Sequence, residues 1–116
     1  FNQGKSFSLF PFKVIYLFTD NTSTIENGQL QVALSVGKKF FKKATDRNRI
    51  RRLMREAWRL QKHLLVSDVK AKNKNFSVFI IYTGNELPEY EIIIEKTAAV
   101  IKRLKKIYDE GLTSNS

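Results

Sequence analysis

The stretch KKFFKKATDRNRIRRLMREAWR, residues 38–59, holds most of the positive charge of this chain. It contains ten Lys or Arg residues and two acids, Asp46 and Glu56, which gives +8. The whole chain has 21 basic and 11 acidic residues and a net charge of +10, so everything outside the stretch contributes only +2. A cationic field this local indicates a polyanionic partner, with nucleic acid favoured over an anionic membrane surface.

The second half of this stretch has the spacing of an amphipathic helix. We predict that the helix starts near Ala44 and that Thr45 or Asp46 caps it. Apolar residues then recur with a helical period at Ile50, Leu53, Met54, Ala57, Leu60 and Leu64. At about 100° per residue, the opposite side of the helix carries Asn48, Arg51, Arg52, Arg55 and Arg59. One face of the helix is therefore expected to pack, and the other to present guanidinium groups.

Positive charge at the start of a helix is unusual, since the partial positive charge of a helix N-terminus favours Asp or Glu there. This helix instead begins with Arg47, Arg49, Arg51 and Arg52. A phosphate ligand resolves the conflict, because free backbone N–H groups and planar guanidinium forks both bind phosphate oxygens. A merely solvated charged face is less suitable, since Glu56 is almost the only acid available to form pairs along the helix.

The segments around this helix favour an α+β domain. FKVIYLFTD (residues 12–20) and LQVALSV (residues 30–36) read as strands, which we expect to form a hairpin through an Asn27-Gly28 turn. KKFF (residues 38–41) is a candidate third strand, SDVKAKNKN (residues 67–75) a loop, and FSVFIIYTG (residues 76–84) an interior strand. The predicted order is β-β-(β)-α-β-α, a two-layer sandwich.

A second helix is predicted from Pro88 onward, with apolar residues at helical spacing as far as Tyr108. Four cations in its second half, Lys102, Arg103, Lys105 and Lys106, are explained at this level by the negative end of the helix dipole. Residues 110–116 are expected to form a disordered tail.

Composition limits the remaining possibilities. With 116 residues and 42% hydrophobic content, residues 1–116 are expected to form one domain. The chain has no Cys, which excludes disulfides and Cys-based metal sites and fits a cytoplasmic protein. We expect no membrane span, because the longest apolar run is far shorter than the ~20 residues required. The first residue is Phe1, which suggests a trimmed N-terminus.

Residues 35–59, SVGKKFFKKATDRNRIRRLMREAWR, closely resemble the signature of the bacterial ribonuclease P protein subunit. Its hallmark is an Arg-Asn-Arg core, then an apolar residue, two basic residues and an Arg-Glu pair. This sequence places them at Arg47, Asn48, Arg49, Ile50, Arg51, Arg52, Arg55 and Glu56. FNQGKSF at residues 1–7 is similar to the family's segment at the end of its first helix, so the N-terminal helix of the family is expected to be missing here.

The resemblance implies a fold and a function. The fold is a four-stranded sheet with a left-handed β-α-β crossover, as in a domain of ribosomal protein S5, although parallel crossovers are usually right-handed. The function is that of a non-catalytic subunit of the endoribonuclease ribonuclease P, in which the RNA subunit removes the 5′ leader of precursor tRNA. The protein would bind no cofactor itself, because the RNA and substrate hold the Mg²⁺. Its partners would be the ribonuclease P RNA and the leader, and without RNA it would be a monomer.

Site residues carry over by position. Those expected to contact RNA phosphates are Lys38, Lys39, Lys42, Lys43, Arg47, Asn48, Arg49, Arg51, Arg52, Arg55 and Arg59, with backbone bonding as the alternative role of Asn48. A cleft between the arginine helix and the sheet is implied to receive the leader. Because unpaired bases stack on aromatic rings, the candidates for this cleft are Phe1, Phe7, Phe12 and Tyr16.

Three other functional classes are weaker. A protein nuclease would need clustered carboxylates or a His beside a nucleophile, whereas His63 is the only His. An independent basic RNA-binding domain, ribosomal or chaperone-like, or a DNA-binding domain, remains the main alternative. A membrane-surface helix is disfavoured because the apolar face of the arginine helix is needed for the core.

Overall fold

The computed structural model describes residues 4–20, 30–71 and 74–114. The strands are β1 (Lys5–Leu9), β2 (Phe12–Asp20), β3 (Leu30–Val36) and β4 (Lys74–Tyr82). The helices are α1 (Ala44–Gln61), α2 (His63–Ala71) and α3 (Tyr90–Ser114). The strands form one four-stranded sheet in the order β1-β2-β4-β3. The predicted α+β sandwich is confirmed.

The sheet is mixed, and its order corrects one prediction. β2 pairs antiparallel with β1 and with β4, whereas β3 pairs parallel with β4. β2 and β3 therefore do not form the predicted hairpin, because β4 lies between them; the Asn27-Gly28 turn lies outside the described residues. β4 is apolar along most of its length and gains a paired neighbour on each side in this interior position. Because β3 and β4 are parallel, α1 and α2 form the crossover between them.

One face of the sheet carries the core. Register places Phe7, Val14 and Ile80 on the same face, together with Val32 and Leu34 of β3. The even-numbered residues of β2 and β4 alternate with less buried ones, and Val14, Phe76 and Val78 have at most 2% of their surface exposed. All three helices cover this inner face, as period-2 alternation requires of a half-buried sheet.

The helices lie over opposite halves of this face. α1 contacts β3, and α3 contacts β1 at the other edge of the sheet. α1 and α3 pack against each other, and the Gln61 side-chain amide donates hydrogen bonds to the carbonyl oxygens of Ala57 and Ile94, each at 3.2 Å. The core between the helices and sheet contains Ile50, Met54 and Leu104.

The arginine helix begins where predicted but differs from the prediction in its cap and in its buried residues. It begins at Ala44 with Lys43 as N-cap, and no side chain of Thr45 or Asp46 caps it. Its buried residues are Ile50, Met54, Ala57 and Trp58, while Leu60 and Leu64 are 48% and 54% exposed. The buried arc is centred near Met54 rather than Ile50, which leaves Leu60 outside it, whereas Leu64 belongs to α2.

Two segments have a different structure from the one predicted: a predicted strand is a turn, and part of a predicted loop is a helix. Residues 38–40 form a turn instead of a third strand, and Phe41 beyond it is buried. Residues 63–71 form α2 instead of a loop from Ser67, because the fully buried Leu65 and Val69 outweigh the polar composition. β1 was not predicted, since its first residues, 5–7, were assigned by resemblance to the end of a helix. α3 extends into the predicted disordered tail as far as Ser114.

Candidate nucleic-acid interface

The exposed side of α1 carries a row of arginines. Arg49, Arg52, Arg55 and Arg59 are all exposed, while Ile50, Met54, Ala57 and Trp58 are buried on the opposite side. The row spans ten residue steps and so runs about 15 Å along the helix axis. Lys38, Lys39, Lys42 and Lys43, which precede the helix, are exposed as well. We call the four exposed arginines the arginine face.

Arg47 does not belong to the arginine face. Its Nη1 donates hydrogen bonds to the carbonyl oxygens of Phe41 and Lys42, at 2.8 and 2.9 Å. The side chain thus reaches back from the first turn of α1 and fastens the turn that precedes the helix. Nη1 of Arg47 therefore has an anchoring role that the sequence did not predict, and its role as a phosphate ligand stays a prediction.

Asn48 and Arg51 are paired with each other. Arg51 Nη2 donates to Asn48 Oδ1 at 3.0 Å, and Arg51 Nε is buried without a hydrogen-bond partner. Asn48 therefore orients an arginine side chain rather than the backbone turn that was its alternative role. Asn48 is exposed and Arg51 is half-buried, so the pair lies at the edge of the helix surface that carries the arginine face.

Arg59 forms the ion pair of the arginine face. Its Nη2 lies 2.7 Å from Glu56 Oε1, and the two side chains are 61% and 44% exposed. The hydrogen bond from Arg59 lowers the pKa of Glu56 below its usual value, while the same bond raises the pKa of Arg59. Arg49, Arg52 and Arg55 thus form the part of the arginine face with the least compensated charge.

The predicted leader aromatics that the structure describes, Phe7, Phe12 and Tyr16, lie on the inner face of the sheet. Phe12 is 2% exposed and packs edge-to-face on Tyr82, so it is a core residue and cannot stack on a base. Phe7 and Tyr16 are half-buried, 6.0 Å apart between ring centroids, and lie on the β1–β2 half of the inner face, near α3. Phe1 lies outside the described residues.

A different surface is open beside the arginine face. The outer face of the sheet has no described helix over it, and its rows pair Lys13 with Ile81, and Ile15 with Phe79. At the end of β3, Phe40 is 52% exposed and Lys39 Nζ lies 5.2 Å from the centroid of its ring. A depression of about 230 Å³ there is lined by Gly37, Lys39, Phe40, Phe41, Ile81, Tyr82, Thr83 and Gly84.

Sequence reasoning missed Phe40 as a candidate for base stacking. The signal was present, since two adjacent Phe residues lie between two Lys pairs in KKFFKK. The structure buries one of them, Phe41 at 7% exposure, and leaves the other in solvent. An exposed aromatic ring flanked by cations is the pattern of a single-stranded nucleic-acid platform.

Among the described residues, no helix is long and apolar enough to cross a membrane. The same residues contain no group of three or more His, Asp or Glu side chains placed to hold a metal ion.

Comparisons with known proteins agree on one family. The family model for Ribonuclease P matches residues 1–105. The ribonuclease P protein component of Porphyromonas gingivalis is 33% identical over 93 residues, which cover 80% of this chain and 66% of that protein. The component from Chlorobaculum tepidum is 58% identical over 36 residues, which are 31% of this chain and 23% of that protein.

Solved structures show the same fold. The ribonuclease P protein of Staphylococcus aureus superposes with a TM-score of 0.65 at 22% identity, covering 90% of this chain and 84% of that one. The protein from Thermotoga maritima superposes with a TM-score of 0.62 at 26% identity, covering 88% and 84%. The chain spans just under two thirds of the P. gingivalis relative. From the match over residues 1–105, the chain belongs to the ribonuclease P protein component family.

Proposed function

We propose that this chain binds the ribonuclease P RNA through α1 and the 5′ leader of precursor tRNA through the surface beside it. In this proposal the RNA subunit cleaves the leader in the cytoplasm, with Mg²⁺ held by RNA and substrate, and the protein assists without catalysing. The observation that carries the proposal is the arginine face, which presents Arg49, Arg52 and Arg55 to solvent while the other side of α1 packs.

The charge and the geometry of α1 support docking on RNA. Guanidinium groups match phosphate oxygens with two hydrogen bonds, and they gain most where no carboxylate competes. Among the described ion pairs, the one that involves the arginine face joins Arg59 to Glu56. Because the buried side of α1 is fully used by the core, an RNA can bind the arginine face without disturbing the fold.

The outer sheet face supports leader binding. A single strand without sequence preference needs cations for its phosphates and flat surfaces for its bases. Lys39 and Phe40 supply both at the end of β3, and Ile81 and Phe79 continue the surface along β4. Since β3 leads through the 37–43 turn into α1, this surface is continuous with the arginine face.

Cleavage of precursor tRNA at low, near-physiological Mg²⁺ tests the function directly. The reactions contain the protein alone, a bacterial ribonuclease P RNA alone, and both together. Strong cleavage in the mixture only is the expected result. Cleavage by the protein alone would contradict the non-catalytic role. A mixture no faster than RNA alone would favour the independent RNA-binding domain instead.

A variant separates leader binding from docking. Phe40→Ala should weaken binding of the holoenzyme to precursor tRNA, but not to mature tRNA, because one base stack contributes about 1 to 3 kcal/mol. Phe10→Ala is the matched control, since Phe10 is 74% exposed but lines another groove with Glu86 and Glu89. Equal losses for precursor and mature tRNA would refute a role for Phe40 in leader binding.

A further inference from the structure

A second cationic surface lies on α3, at the other edge of the sheet. A groove of about 570 Å³ runs between α3 and β1. Lys102, Arg103 and Lys106 form its cationic wall, Leu9, Ala99 and Ile107 supply an apolar lining, and Glu110 is the one acid among the described lining residues. We call this the α3–β1 groove.

The helix dipole does not explain these cations. The dipole acts within the last turn of a helix, and α3 continues to Ser114 with no basic residue in that turn. Lys102 and Lys106 therefore lie two or more turns from the helix end, and the sequence-based explanation for them fails. The described ion pairs do not include Lys102 or Arg103, and the pair between Lys106 and Glu110 is exposed and 4.0 Å long. Such a pair contributes little.

Arg103 is held in an orientation suited to a ligand. Its guanidinium carbon lies 4.8 Å from the centroid of the Phe7 ring. Contact with a ring face is a cation–π interaction, and a guanidinium group that lies against a ring keeps its in-plane N–H donors available. Phe7 in turn contacts Tyr16, so the ring that Arg103 lies against is held in place by its neighbour in the sheet.

We propose that the α3–β1 groove binds a short segment of single-stranded RNA, at a site separate from the arginine face. Lys102 and Lys106 pair with phosphates, Arg103 binds a phosphate through its free edge, and a base lies against the apolar lining. The apolar lining favours a single strand over a duplex, because a duplex offers its phosphates and keeps its bases stacked inside.

The position of the groove makes the two sites independent. α1 contacts β3 and α3 contacts β1, and these strands form opposite edges of the sheet. Three inter-strand spacings separate the edges by about 14 Å. One protein can therefore hold two RNA segments at once, which goes beyond docking on one RNA surface and does not require that the chain assist cleavage.

The probe is a fluorescent uridine octamer that carries one central 4-thiouridine. Its affinity for the full chain is measured by anisotropy between 50 and about 500 mM salt, and its contacts are mapped by photocrosslinking and mass spectrometry. The test variant is Lys102→Gln/Lys106→Gln. The matched control is Lys62→Gln/Lys105→Gln, which removes the same charge from exposed positions that do not line the groove.

The test variant is expected to reduce the log-log salt slope by about 0.7 for each phosphate contact removed, and the control to leave it unchanged. Crosslinks are expected on β1 or on α3 near Arg103, and they should persist in Arg49→Gln/Arg52→Gln. Equal effects of test and control variants would overturn the proposal, as would crosslinks confined to α1 or the outer sheet face. Failure of the wild-type chain to bind the octamer would also overturn it.

These outcomes are distinct from failure of the proposed function, which is measured by cleavage of precursor tRNA. A chain that does not assist cleavage can still crosslink to the octamer through the groove. Conversely, Lys102→Gln/Lys106→Gln could assist cleavage as well as wild type while the octamer crosslinks only to α1. That result would leave the proposed function standing and overturn the second site.

Discussion

Replacement of Arg47 by Ala should destabilise the fold, whereas replacement of its neighbour Arg49 should not. Arg47 donates two hydrogen bonds to the carbonyl oxygens of Phe41 and Lys42, which fasten the turn before α1. Hydrogen bonds that involve a charged group contribute about 1.5 to 3 kcal/mol when shielded and less when exposed. The bond to Phe41 is partly buried and the bond to Lys42 is exposed. Their joint contribution is therefore about 2 kcal/mol.

The turn transmits this loss to the core. Phe41 is 7% exposed, and its ring lies 6.0 Å from that of Tyr82. No side chain caps α1, so Arg47 is the described side chain that links its first turn to the preceding carbonyls. Loss of the link should free both the turn and the start of the helix. A loss of this size lowers the melting temperature of a domain this long by roughly 6 to 12 °C.

Urea unfolding followed by circular dichroism measures the effect. Arg47→Ala is compared with Arg49→Ala, which changes an exposed residue on the same turn and should stay within about 0.5 kcal/mol of wild type. Arg47→Lys keeps the charge but loses the planar fork, so its stability should lie between the two. If Arg47→Ala were as stable as Arg49→Ala, the anchoring role would be wrong.

Three further predictions concern the core, the RNA interface and pH. Gly84→Ala should cost about 1 to 3 kcal/mol in urea unfolding, because a Cβ there would contact the Tyr82 hydroxyl and lie 2.7 Å from its ring carbon Cζ. Gly37→Ala, with no atom within 4 Å of the added Cβ, is the control, and equal costs would refute the steric account. Arg49→Gln/Arg52→Gln should flatten the salt dependence of binding to ribonuclease P RNA by about 0.7 to 0.9 per contact, and an unchanged slope would show that neither arginine meets a phosphate. Burial, and secondarily the charge of Glu86, raise the pKa of Tyr82 above its ordinary value of 10.0. Tyr82 has a higher pKa in the folded protein than in the unfolded chain. Its contribution to the free energy of unfolding is therefore complete below pH 10 and is lost as pH rises through the folded pKa. Wild type should therefore lose more stability than Tyr82→Phe above pH 10, and parallel curves would contradict the shift.

Sequence patterns located most elements but could not pair the strands. The apolar run at residues 76–82 predicted an interior strand, and the spacing from Ile50 to Ala57 predicted a helix with one buried face. The hairpin between β2 and β3 was wrong because strand pairing depends on contacts far apart in sequence, which local turn signals do not encode. The interior strand β4 was correct in type, but nothing in its own sequence indicated that it would separate β2 from β3.

The site was predictable in its charges and not in its aromatic rings. β2 is apolar on both faces, with Val14 and Tyr16 on one and Ile15 and Leu17 on the other. Alternation shows which of these side chains share a face, but only the position of the helices decides which face is covered. Phe12 therefore belonged to the core, whereas Phe40 in a turn remained exposed. Likewise, Arg47 and Arg49 are identical in sequence terms, and only the path of the preceding turn distinguishes them.

The position of β4 also determines when, during synthesis, this protein can complete the sheet that supports the arginine face. β3 has β4 as its described neighbour, and β4 ends at Tyr82, after the whole of α1 has been made. Until then the nascent chain can form the β1–β2 hairpin, but β3 lacks its strand partner. The most basic segment of the chain is thus produced before the sheet that supports it is complete. Because such non-local pairing is slow, we expect the sheet beneath the arginine face to be completed late in folding.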